Sequence, residues 1–340
     1  MKKIIALTAV LALVLAGAAL AQDDSGTNRG STKTGIAGAQ FLKIGIGART
    51  VAMSDASVAM IDDSTSCYWN PAGLADVKGT DITFTDVEWI ADMRLMSGTF
   101  AHKFGFGTIG AMFTMLSVGE MQYRDEHNPD DPNAGTFTAN DMMFGGSYAR
   151  RLIDRFAFGG TVKYIREKID TYTAQGVAFD VGTTYITGFK SLKMGISIQN
   201  FGPELKFGGT FSELQRDKQT REVKEFASYS LPITVKLGIS YDLFQGSKNH
   251  LLTLALDAVH PNDGPEKLNL GAEYWIKNML ALRGGYLVSG GDFRSEELRT
   301  FSAGVGFKYN LGSTGIRFDY AFTDMDVLNA VHRVTMGFCF

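Results

Sequence analysis

The stretch IRFDYAF, residues 316–322, decides the fold. Ile316, Phe318, Tyr320 and Phe322 fall on one side of an extended chain, and Arg317, Asp319 and Ala321 on the other. A helix would scatter these apolar residues around its axis; a strand sends alternate side chains to opposite faces. The same pattern recurs upstream. Ile233, Val235, Leu237, Ile239 and Tyr241 alternate with Thr234, Lys236, Gly238 and Ser240. Phe301, Ala303, Val305, Phe307 and Tyr309 alternate with Ser302, Gly304, Gly306 and Lys308. The apolar face is rich in Phe, Tyr and Leu. The opposite face carries full charges, including Lys163, Asp180, Lys193, Lys236, Asp257, Glu273, Arg283, Lys308, Arg317, Asp319 and Arg333.

Alternation of this kind runs from about residue 81 to 340 and divides into fourteen strands, several of ten or more residues, long enough for a tilted membrane span. The expected strands are 81–89, 94–104, 106–118, 138–150, 155–168, 174–187, 191–201, 232–243, 251–260, 266–276, 279–288, 299–309, 313–323 and 331–340. The first is the least regular, because Asp86 falls in line with Ile82 and Phe84. Even-numbered strands end in short turns and odd-numbered ones in the longer connections, notably 119–137 and 202–231. That parity puts both chain ends in the periplasm. The expected fold is all-β: a fourteen-stranded antiparallel transmembrane barrel whose closure leaves no strand edge in lipid.

Composition agrees. The chain has 340 residues, a formal net charge of -3, 39 Gly and 39 aromatic residues (24 Phe, 12 Tyr, 3 Trp). Its mean hydropathy is -0.02. High apolar content with low net charge excludes disorder, and the absence of a basic block argues against nucleic acid. Lys2, Lys3, the apolar run IIALTAVLALVLAGAAL (residues 4–20) and Ala19-Leu20-Ala21 read as a signal peptide cleaved after Ala21. The expected location is the bacterial outer membrane. Cys67 and Cys339 are too few for a disulfide framework. A bridge between them could form in an oxidising periplasm; two thiols buried as small apolar side chains is the simpler expectation.

Residues 22–79 do not alternate. They begin polar, QDDSGTNRGSTKT, and continue into short apolar groups separated by Gly, Ala and Asp. Too small to fold alone, this segment is expected to fill the lumen as an N-terminal plug, or hatch. The organisation is therefore signal peptide 1–21, hatch 22–79 and barrel 80–340. Within the hatch, GIGARTVAMSDASVAMIDDSTSCYWNPAGLA (residues 45–75) closely resembles the N-terminal signature of the PorV/PorQ family of FadL-like outer-membrane proteins. The matching elements are Gly47-Ala48-Arg49, Met53, Ala56, Ala59, Asp62-Asp63 and Tyr68-Trp69-Asn70-Pro71-Ala72-Gly73-Leu74. The family usually has Gly after the Met, where this chain has Ser54. The resemblance implies type IX protein secretion, with secretion-system proteins and exported cargo as partners, or uptake of fatty acids and other hydrophobic small molecules through a FadL-like channel.

Arg49 is expected to anchor the hatch to a lumenal acid, Asp180, Asp257, Glu273 or Asp319. Asp62 and Asp63 are expected to pair with lumenal Lys or Arg, or to cap backbone amides, rather than bind metal. The third and fourth strands break the alternation: Met112, Leu116 and Val118 lie opposite Ile109, Ala111, Phe113 and Met115, and Met142 and Met143 put sulfur on both faces. Met is a pliable lining. Met112, Leu116, Val118 and Met143 thus mark either an apolar pocket or lateral opening, or wall packed against the hatch. GFGTIG, residues 105–110, matches a dinucleotide-binding string, but it sits at a turn entering a strand and lacks the following helix. The five His are scattered and no nucleophile motif appears. No catalytic residue, cofactor or metal is expected, and outer-membrane lipid is the expected surround.

Overall fold

The computed structural model describes residues 35–124, 135–214, 221–247, 249–289 and 301–340. The signal peptide, the polar start of the hatch, and residues 299–300 of the expected twelfth strand lie outside the described residues. Fourteen antiparallel strands close into one barrel. They are β1 Thr80–Glu88, β2 Arg94–Phe104, β3 Gly107–Ser117, β4 Ala139–Ile153, β5 Phe156–Ile169, β6 Tyr172–Ile186 and β7 Lys193–Phe201. The second half is β8 Thr234–Leu243, β9 His250–Pro261, β10 Lys267–Ile276, β11 Leu280–Ser289, β12 Phe301–Leu311, β13 Thr314–Asp324 and β14 Ala330–Cys339. Each strand pairs with its sequence neighbour. β1 closes the ring against β14, from Asp81 opposite Cys339 to Glu88 opposite His332.

The two faces are those the alternation requires. Phe84, Phe144, Phe158, Tyr164, Phe318 and Met336 point outward and are exposed, as an apolar surface facing lipid must be. Asp86 also points outward, but near the end of β1, where its carboxylate receives Arg94 Nε at 2.7 Å. The partners of the outward chains, such as Asp81, Thr83 and Thr85, are buried in the lumen. Two short hairpins absent from the strand count stand in the long connections: Met121–Gln122 with Thr136–Phe137, and Thr210–Leu214 with Arg221–Glu225.

The rims differ. At the closing rim Thr80 and Phe340 exchange backbone hydrogen bonds at 3.1 and 2.9 Å, and the even-numbered strands turn there. The far rim carries residues 202–214 and 221–233. The segment before β1 enters at that far rim. Ala37 bridges to Ser230, and Gln40 and Lys43 donate to Asp263 at 2.8 and 3.1 Å. It then descends past the inward faces of the strands to Gly79. The barrel's own two ends share the closing rim, and residue 37 lies at the opposite one; the N-terminal end of the chain lies outside the described residues. Parity along the strands is blind to a segment that crosses the lumen without pairing.

Candidate functional site

The lumen and the segment inside it form the candidate site. Its helices are one or two turns long: Gln40–Lys43, Ala48–Val51, Ser66–Trp69 and Pro71–Asp76. Turns this short are marginal alone, so contacts with the wall must hold them. Lumenal glycines let the backbone approach. A Cβ on Gly159 would come within 2.5 Å of the Pro71 carbonyl, and one on Gly195 within 2.5 Å of the Val58 carbonyl oxygen.

The Tyr68–Gly73 stretch satisfies its own polar groups. Tyr68 Oη donates to the Leu42 carbonyl at 2.8 Å and Trp69 Nε1 to the Ile46 carbonyl at 3.0 Å. Asn70 Nδ2 donates to Val58 O at 2.7 Å and to Thr183 O on β6 at 3.1 Å, while its Oδ1 accepts from Ala72 N at 3.2 Å. Asn70 thus caps the turn that Pro71 opens, and Pro at that position gives up no needed donor. Gln199 on β7 donates to the Tyr68 and Trp69 carbonyls at 2.6 and 2.8 Å, and the Lys236 ammonium stands 4.6 Å from the Trp69 ring centroid.

Nearer the closing rim the wall is ionic. Arg49 Nε and Nη2 both reach the Glu273 carboxylate at 2.9 Å, and Nη1 reaches Asp62 at 2.7 Å. Of the four acids expected as Arg49's anchor, Glu273 is the one. Arg283, directly across from Glu273 in the β10–β11 register, joins it at 2.7 Å and Asp319 at 2.7 Å. Arg317 joins Asp63 at 3.3 Å and Asp81 at 2.6 Å. Gly47, with φ +77°, leads into the turn that carries Arg49, and Ala48 N donates to Thr335 Oγ1 at 2.9 Å. At the waist, Lys163 and Asp180 pair at 2.6 Å while Asp257 accepts the amides of Ser57 and Val58 at 2.8 and 3.0 Å.

Toward the far rim most of the same inward positions are apolar, with Glu167 a buried exception. Val87, Leu95, Leu116, Met143, Ile165 and Val331 come from six strands, and Phe41 and Leu42 of the enclosed segment join them in one buried cluster. Met112 belongs to it as well. The structure therefore brings three of the four expected pocket residues together against the segment and leaves Val118 half-buried outside the cluster. β3 and β4 pair without a break from Thr108–Ala149 to Ser117–Asn140, so the wall is continuous there. The register does shift elsewhere, between β6 and β7, where Asn200 adopts φ +60° and donates its backbone N–H to Asp180 at 2.7 Å. Nothing in the alternation of β7 signals that irregularity. Cys67 and Cys339 are free thiols.

Above the cluster, the described residues 202–214 and 221–231 fold across the mouth. Leu205 and Tyr229 bridge, and Tyr172, Phe226, Phe207 and Tyr229 form a row with ring centroids 4.8–5.9 Å apart. Tyr229 donates its hydroxyl to Glu167 at 2.5 Å. Burial, and then that carboxylate, push the phenol's pKa up. At the closing rim, in contrast, a cavity of about 360 Å³ remains between the segment and β7–β14, with Arg49, Lys193, Trp275, Lys308 and Arg317 on its walls.

The profile of a family described as type IX secretion system protein PorV matches residues 27–259. No curated protein matches the sequence. Among solved structures, the fold is similar to the toluene transporter TbuX of Ralstonia pickettii, with 14% identity, 86% of this chain and 97% of that one covered, and a TM-score of 0.56. It is also similar to a FadL homologue of Pseudomonas aeruginosa (10% identity, 87% and 97% covered, TM-score 0.53) and to the toluene transporter TodX of Pseudomonas putida (13%, 86% and 96%, 0.52). At these identities the likeness is one of fold, an outer-membrane barrel of the FadL kind.

Proposed function

The chain belongs to the PorV family of type IX secretion system proteins, and on that premise we propose that it receives or holds exported proteins at the outer surface of the outer membrane. In this reading residues 1–21 are the signal peptide, removed after Ala21. Residues 22–79 are the hatch, fixed through Gly47, Ala48, Arg49, Asp62, Asp63 and Tyr68–Gly73. The far rim faces outward and the closing rim faces the periplasm. The protein performs no covalent chemistry.

The observation that supports a partner-holding role is the contrast at the outer mouth. The lumen below it is lined largely with apolar side chains, while the connection after β7 presents Phe207 and Phe226, half-buried, above them. A filled mouth under an aromatic loop suits binding at the surface better than flow through the lumen. Purification from native membrane followed by mass spectrometry tests this. Secretion partners or cargo should co-purify, and deletion of the gene should leave cargo in the periplasm. Bound fatty acid with no protein partner would sink the secretion reading. It would favour a hydrophobic-compound channel, with Met112, Leu116, Val118 and Met143 around the ligand.

A further inference from the structure

Six hairpin ends stand at the closing rim: residues 103–106, 150–155, 187–192, 244–249, 277–280 and 310–313. Each carries an exposed large apolar side chain: in turn Phe106, Ile153, Phe189, Phe244, Met279 and Leu311. Among the described residues, four of the five most exposed large apolar side chains, at 61–65%, are Ile153, Phe189, Phe244 and Leu311. Phe106, Phe189, Phe244 and Met279 lie between strand ends, beyond the ladder. The exposed charges on the same hairpin ends are nearly all of one sign: Lys103, Arg150, Arg155, Lys190 and Lys277 against Asp154. Among the described residues none of these five cations has an ion pair. The Lys190 ammonium instead lies 5.6 Å from the Phe189 ring centroid. In the far-rim connections the described side chains lean the other way, with eight acids against three bases.

We propose that these hairpin ends bind an anionic phospholipid surface. The apolar tips enter the leaflet at the closing rim, and the lysines and arginines hold its phosphates. Large apolar side chains at turn tips need a cover other than water. A ring that runs round the whole rim fits a leaflet, which surrounds a barrel on every side. Tyr148 and Arg150 face outward like the rest of the lipid wall, away from anything seated over the mouth. The ring is also continuous with that wall. Phe104 and Phe106 stack with centroids 5.3 Å apart, and Phe106 and Tyr148 at 6.4 Å. Tyr148 Oη on β4 donates to the Phe106 carbonyl at 2.8 Å. Aromatic side chains collect where hydrocarbon meets headgroups. The cations select the lipid's charge. A zwitterionic headgroup brings its own ammonium to each phosphate, whereas an anionic one leaves the phosphate for Lys and Arg. Their stems can lie along the apolar tips while their heads stay at the phosphates. Assigning this leaflet to the periplasmic side rests on the orientation proposed above; the lipid preference does not.

The test places the full-length protein in phosphatidylcholine vesicles with trace spin-labelled lipids, read by electron spin resonance. Both leaflets are then alike, so orientation and the secretion role do not enter. Labelled phosphatidylglycerol should be held at the protein about threefold or more over labelled phosphatidylcholine, and less so as salt rises. The combined variant Lys103→Gln, Arg150→Gln, Arg155→Gln, Lys190→Gln, Lys277→Gln should lose most of that preference while keeping the gel mobility of the folded barrel. A control pair on the outward face of β5 near the far rim, Arg166→Gln with Lys168→Gln, should change it less. Two single variants, Phe189→Trp and Phe244→Trp, do not depend on the combined variant folding. Each introduced indole should be quenched by brominated phospholipid and shielded from iodide. Equal retention of the two lipids, a preference that survives the combined variant, a preference lost with the control pair alone, or tips open to iodide overturns the proposal.

Discussion

The two ends of the lumen hold the same segment by different means. Near the closing rim Arg49, Asp62 and Asp63 are fixed by Glu273, Arg283 and Arg317 in a network of charge-assisted hydrogen bonds. Near the far rim Phe41 and Leu42 are packed among aliphatic side chains, with the Glu167 carboxylate held by Tyr229 at the margin. An ionic network fixes geometry, because each bond has a direction, but leaving one partner buried and alone is costly. An apolar cluster excludes water without dictating direction. The closing end therefore sets where the segment sits, and the far end sets how dry the lumen is.

That division can be broken from either side. The largest effect is expected from Glu273→Ala, which removes the carboxylate shared by Arg49 and Arg283 and leaves them Asp62 and Asp319. Breaking a buried pair costs about 3–5 kcal/mol, to be read as a lower urea midpoint for loss of folded gel mobility. If the far end alone held the segment, the midpoint would not move. Phe41→Ala should cost about 3 kcal/mol through lost burial and a residual void. Its effect should be independent of salt between low and high ionic strength, and a salt-dependent loss would contradict an apolar far end. Ser54→Gly should stabilise by ~1 kcal/mol. Ser54 sits at φ +52° with its buried hydroxyl unpartnered, so glycine relieves both defects; an unchanged urea midpoint would refute that. The smallest effect belongs to Lys43→Ala, whose pair with Asp263 at the far rim is partly exposed. It should cost up to ~1 kcal/mol and vanish at high salt.

Much of this was legible in the sequence, for identifiable reasons. Period-two alternation placed all fourteen strands because a barrel wall forces every side chain to choose between lipid and lumen. Arg49 and the Asp62-Asp63 pair could be read as ionic anchors because charges that cannot face lipid must find partners inside. Which of four acids met Arg49 was not legible. That choice depends on the depth at which the segment crosses the lumen, and no local pattern encodes depth. The bulge at Asn200 was invisible for a related reason: its buried partner Asp180 lies on the neighbouring strand. Met112 and Leu116 were legible as inward exceptions. Their role needed the position of Phe41 and Leu42, which come from an unpatterned segment.

The crossing itself bears on how the molecule is made. The enclosed chain runs from the far rim to the closing rim and continues directly into β1, which is hydrogen-bonded to β14 at the other end of the sequence. The β1–β14 ladder joins the most distant partners in the barrel, and such contacts carry the largest loop-closure cost. The seam that joins the two ends of the wall therefore lies beside the point where the enclosed segment leaves the lumen.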